Sequence, residues 1–130
     1  MRTLAREAAL NIIFAQQFND ETDSAFRKKV YKQFALTDEG VAFATSLVEV
    51  VLKNWEELIV GIEDACHHYR ENRINPMDKT ILLIAMAEIK FFDDIPPVVS
   101  VSVAAGLARK YSTDTSADFV NGGLAGVINK

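Results

Sequence analysis

Few residues in this chain are of the types that do covalent chemistry, and their spacing works against it. His67 and His68 are adjacent, so on a helix they point about 100° apart and cannot converge on one metal. Cys66, beside them, is not at a ligand spacing, and all three read as partly exposed helix residues. Asp93 and Asp94 could serve acid–base work, but adjacent acids ahead of Ile95-Pro96-Pro97 read first as a solvated turn. Two histidines in the chain, and no Ser/His/Asp or Cys/His arrangement in a supporting context, leave little for catalysis. Gly122-Gly123 falls inside a predicted helix rather than after a strand, so it is not a phosphate-cradling loop. No catalytic site, metal or cofactor is expected; the chain reads as a binding protein.

Binding chemistry is better represented. Arg2 and Arg6 lie four apart on the first predicted helix and so face the same way, where they could pair with phosphates. Arg27, Lys28, Lys29 and Lys32 form a denser basic cluster, read first as a solvated face. Phe119 either stacks on a base or packs in the core with Val120 and Leu124, and the core is favoured slightly. Asn121 reads equally well as a buried structural residue or as an RNA contact. Phe14 and Phe18, again four apart, belong to the core unless exposed, when they would form a partner-binding stripe. Gly122, Gly123 and Gly126 each cost a helix about 1 kcal/mol relative to alanine. Gly122 and Gly126 share one face, so close packing by another helix is expected there.

The elements that position these residues are helical from end to end. A first helix spans about Thr3 to Phe18, capped by Thr3, with Ala8-Ala9-Leu10-Asn11-Ile12-Ile13-Phe14 apolar on most sides. A short one follows from about Ser24 to Phe34. Thr37 caps a third, and Asn54 a fourth that runs from Trp55 to about Glu71. Asn75-Pro76-Met77-Asp78 is the clearest start signal, with a cap residue, proline at the first helical position and an acid in the first turn. That fifth helix ends at Asp93-Asp94-Ile95-Pro96-Pro97. Val99-Ser100-Val101-Ser102-Val103 alternates like a strand, but no second strand exists to pair with it, so it begins a sixth helix through Tyr111. A seventh runs from about Ser116 to Ile128. The fold class is all-α: one seven-helix bundle over residues 1–130.

Composition agrees. The chain has 130 residues, 49% of them hydrophobic and 25% charged, which suits a single domain with a core rather than a disordered segment. A lone cysteine excludes an internal disulfide and fits a reducing cytoplasm. No apolar run reaches the roughly 20 residues of a membrane helix, and the charged N-terminus is unlike a signal peptide. A net charge of −4 argues against strong stand-alone nucleic-acid binding, but not against a local basic patch or a basic partner.

Several words in this sequence, in order, resemble those of the NusB family. They are Ala5-Arg6-Glu7-Ala8-Ala9, Ser46-Leu47-Val48-Glu49, Lys53-Asn54-Trp55-Glu56-Glu57-Leu58, and Met77-Asp78-Lys79-Thr80-Ile81-Leu82 with Ala85 and Glu88-Ile89. The Ile95-Pro96 turn, Leu107 to Ser112 and Phe119-Val120-Asn121-Gly122 complete the set. The resemblance implies a seven-helix fold. It also implies a factor that binds boxA-type RNA of ribosomal RNA leaders together with a small-subunit ribosomal protein of NusE type, and so acts on the RNA polymerase antitermination complex indirectly. It places RNA contacts at Arg2, Arg6, Ser116, Phe119 and Asn121, and the ribosomal-protein surface at Phe14, Phe18 and Asp78. The sequence departs from the family at Phe14, Val98, Ser102, Val103, Gly106 and Asp118, mostly by losing charge or a hydroxyl, and the arginine-rich start is reduced to Arg2 and Arg6. A rival reading follows from those losses: a NusB-fold module that only binds proteins or self-associates as a homodimer. NusB-like domains also occur ahead of an RNA cytosine methyltransferase, for which 130 residues leave no room.

Overall fold

The computed structural model describes residues 2–18, 23–66 and 73–128. Among them are seven α-helices and no strand: α1 Arg2–Gln16, α2 Ser24–Gln33, α3 Asp38–Lys53, α4 Trp55–Ala65, α5 Pro76–Phe91, α6 Pro97–Tyr111 and α7 Asp114–Ile128. The matching expectations differ from these bounds mainly at helix ends.

Capping chemistry sets most of the starts. Thr37 accepts from Gly40 N at 3.1 Å, and Asn75 accepts from Met77 N at 2.8 Å ahead of Pro76. Three expectations are corrected. Thr3 lies inside α1 and does not cap it. Asn54 precedes α4 without capping it, because its amide donates to Val50 O at 2.8 Å. The described part of α4 ends at Ala65, where the Cys66 N–H closes onto Ile62 O at 2.9 Å; the expected extension to Glu71 lies outside the described residues, with His67 and His68. Helix α7 begins earlier than expected, since Thr113 Oγ1 accepts from Ser116 N at 2.9 Å. At the end of α2, Ala35 takes φ of 50°, a left-handed position that glycine fills at lower cost.

Helix α5 is the axis of the bundle. Every residue from Thr80 to Glu88 is buried, and α5 packs against α1, α3, α4, α6 and α7. A helix buried on all sides must be apolar all round, which explains Ile81-Leu82-Leu83-Ile84-Ala85-Met86-Ala87. Helix α1 is nearly as enclosed, with Ala5, Ala8, Ala9, Leu10, Ile12 and Ile13 all at 0% exposure. In α6 the strand-like alternation resolves as a helix: Val98 and Val99 face solvent, while Val101, Ala104, Ala105 and Ala108 form the buried stripe at three- and four-residue spacing.

The small-residue face of α7 also differs from expectation. A side-chain carbon built at Gly122 or Gly126 would meet nothing within 4 Å. The close approach is at Gly123, where that carbon would lie 3.1 Å from Cys66 Sγ. Gly123 is thus the position where α7 needs no side chain to pack on α4.

Candidate nucleic-acid interface

Arg2 and Arg6 share a helix face but not an environment. Arg2, at the open end of α1, donates to Asp94 Oδ2 at 2.9 Å, with side chains 47% and 63% exposed. Its guanidinium also lies over the Phe43 ring, 4.6 Å from the centroid. Phe43 meets Phe92 edge-on at 5.7 Å. Together with Glu39 and Ser46 these residues line a cavity of about 510 Å³.

One turn on, Arg6 is 4% exposed. Its Nε donates to Glu88 Oε2 at 2.7 Å and a terminal nitrogen to Oε1 at 3.0 Å, a bidentate pair inside the core. Ser100 Oγ donates to the same Oε1 at 2.8 Å. The expectation that Arg6 stands on the surface is therefore corrected: its fork is consumed by Glu88, and the pair ties α1 to α5 and α6. Glu7 is buried beside it and accepts from Lys110 Nζ and Tyr111 Oη, both at 2.6 Å. Burial, then that hydrogen bond and the Glu7 charge, push the Tyr111 phenol from 10.0 up to about 12.

A second group forms at the start of α7. Ser116 Oγ donates to Asp78 Oδ2 at 2.9 Å, so the residue expected on the RNA side and the one expected on the protein side touch. Asp78 is 6% exposed, and its Oδ1 is buried with no hydrogen-bond partner among the described residues. Phe119 is half-buried against the core and also walls a cavity of about 290 Å³ with Arg73, Ile74, Asn75, Asp78, Thr115 and Ser116. Phe119 is thus both a core residue and a surface one. Asn121 and Asp118 are exposed, which removes the buried reading of Asn121. Arg2 lines a different cavity from Ser116 and Phe119.

Phe14 and Phe18 stack at 5.1 Å with planes tilted by 60°. Phe14 is half-buried and Phe18 is 67% exposed, so the pair forms an aromatic ledge at the C-terminal end of α1. Reading the sequence missed Glu88 as the partner of Arg6, Asp94 as the partner of Arg2, and Thr113 as a cap. Only Thr113 carried a local signal, three residues before Ser116.

Burial raises the Cys66 thiol from 9.0 to about 11, leaving it protonated near neutral pH and poorly nucleophilic. Among the described residues no cluster of His, Cys, Asp and Glu could hold a metal, and no helix is long and apolar enough to cross a membrane. The structure thus defines a class, an all-α bundle with polar and aromatic surface clefts. Its family follows from comparison with known proteins. The sequence model of the NusB family matches residues 3–129, and the chain belongs to that family. It is 36% identical over 129 residues to the transcription antitermination protein NusB of Clostridium novyi, covering 98% of this chain and 97% of that one. It is 33% identical over 132 residues to the NusB protein of Natranaerobius thermophilus, covering 99% and 95%. A crystal structure of antitermination factors NusB and NusE in complex with double-stranded RNA has the same fold, with a TM-score of 0.87 at 22% identity over 98% and 96% of the two chains.

Proposed function

We propose that this protein is a transcription antitermination factor that binds boxA-type RNA of ribosomal RNA leaders together with a NusE-type ribosomal protein. The carrying observation is the match to proteins named for antitermination at 33% and 36% identity, over nearly the full length of both partners. The solved NusB complex with NusE and RNA supports the same pairing. In this reading residues 1–130 act as one RNA-binding domain in the cytoplasm, without catalysis, and reach RNA polymerase through the assembled complex.

The roles of individual residues follow from exposure. Asn121 is exposed and faces RNA, Arg2 reaches RNA by exchanging its exposed pairing with Asp94 for a phosphate, Phe119 offers a ring edge at its cavity, and Ser116 orders that cavity through Asp78. Arg6 contributes by fixing α1 beneath Arg2 rather than by touching phosphate. Phe14 and Phe18 form the protein-facing ledge, while Asp78 lies in the cleft of Ser116 and Phe119. The negative net charge suits a basic ribosomal protein.

The test is RNA binding by the chain with and without its NusE-type protein, across a salt series. Tight, salt-sensitive binding that needs the partner is expected. Partner binding with no RNA affinity would reverse the reading in favour of a protein-only or self-associating module.

A further inference from the structure

The densest basic element of the protein plays no part in the function just described. Arg27, Lys28, Lys29 and Lys32 all lie on α2, and no acidic residue lies within Ser24–Gln33. Asp23, just before it, is occupied as the cap and accepts from Phe26 N at 2.8 Å.

These four cations contrast with the paired ones of α1 and α6. Arg2 is paired with Asp94 at 2.9 Å, Arg6 with Glu88 at 2.7 Å and Lys110 with Glu7 at 2.6 Å. None of the four α2 cations forms an ion pair among the described residues. Arg27 also has its Nε buried without a hydrogen-bond partner there. A paired cation must leave its carboxylate before a phosphate gains it, whereas an unpaired one contributes its whole counterion release.

The surroundings suit an oxyanion. Ser24, Arg27, Lys28 and Tyr31 of α2, with Val41 and Thr45 of α3, line a cavity of about 380 Å³, with no carboxylate in its lining among the described residues. Tyr31 and Thr45 share one hydrogen bond at 2.9 Å, so one of the two hydroxyl protons remains to donate elsewhere. Ala42, Phe43 and Ser46, on the adjoining face of α3, line the cavity of Arg2. The two cavities therefore flank a single helix.

We propose that the α2 face is a second phosphate-binding surface, gripping the sugar–phosphate backbone of the RNA strand that the rest of the chain recognises. This rests on the RNA-binding reading above and extends it to an element with no assigned role. Its contacts are to backbone and carry no sequence preference; they add affinity and register. Local positive potential on a chain of net charge −4 confines the strand to this side.

The experiment uses the triple variant Lys28→Gln/Lys29→Gln/Lys32→Gln, whose three lysines are exposed. Affinity for boxA-type RNA is measured with the NusE-type protein present, from about 50 to 200 mM salt. The slope of log affinity against log salt should become shallower by about 2, at roughly 0.7 per lost phosphate contact on a single strand. Lys53→Gln, an exposed lysine in the last turn of α3, should leave the slope unchanged. A triple variant with the slope and affinity of the unmodified chain overturns the proposal alone. So does a loss confined to affinity for the ribosomal protein measured without RNA, which would make α2 a protein-docking face. An unmodified chain that binds no RNA overturns the functional reading, and this one with it.

Discussion

Helices α1 and α2 both carry basic residues at helical spacing, and the bundle treats them in opposite ways. In α1 the charge is drawn inward: Arg6 is locked by Glu88 in the core, and Arg2 is shared between Asp94 and the Phe43 ring. In α2 the charge is left on the outside, with no carboxylate against it among the described residues. Arg6 therefore serves to hold helices together, Arg2 meets a ligand only in exchange for Asp94, and the four cations of α2 meet no such competitor among the described residues. Charge density along a sequence is a poor guide to available charge, because pairing is set by residues far away in the chain.

Mutations can break or sharpen this contrast. The largest effect belongs to Glu88→Ala, which strands the Arg6 guanidinium without a partner in the core and should destabilise the protein by about 3–5 kcal/mol. Urea unfolding measures it, and a loss below about 1 kcal/mol would mean that α1 is not held by this pair. Arg6→Glu should be at least as damaging, since it sets two carboxylates against each other.

Next comes Glu7→Ala, which leaves the Tyr111 hydroxyl and Lys110 without their acceptor and should cost about 1–3 kcal/mol. The same contact predicts an alkaline limit. The Tyr111 phenol titrates at 10.0 when unfolded and at about 12 when folded, so the folded state holds the proton more tightly. The stabilisation is complete below the lower value and disappears as pH rises through the upper one. Melting temperatures across that window should fall more steeply for the unmodified chain than for Tyr111→Phe.

Arg2→Ala removes an exposed pair and should change stability by at most about 1 kcal/mol, with the difference shrinking at high salt. The smallest effect is that of the α2 triple variant, whose stability should stay within about 0.5 kcal/mol of the unmodified chain. Thermal unfolding of both variants side by side checks the ranking. A triple variant that unfolds much more easily would show that α2 depends on its lysines for packing.

The architecture was legible where the signal was local. Asn75-Pro76 announces α5 because cap and proline act on the next turn of backbone, and Thr37 announces α3 for the same reason. The alternation of Val99 to Val103 is local evidence for a strand, and only the lack of a second strand to pair with argues for the helix that forms, whose buried stripe is Val101, Ala104, Ala105 and Ala108. Thr3 misled because a residue with capping chemistry can also sit within the first turn. The candidate site was less legible. Family words assign Ser116 and Phe119 to RNA and Asp78 to the protein partner, whereas the three line one cavity. Nothing local could reveal that Arg6 is buried, because its partner lies 82 residues further on.

That separation has a consequence for how the chain is made. At roughly 5–20 residues per second, Glu88 is synthesised about 4–16 s after Arg6. Until then α1, with six core residues that end at 0% exposure and an arginine that has no counter-ion, cannot be completed. The first helix to leave the ribosome therefore gains its core ion pair only once the central helix has been made.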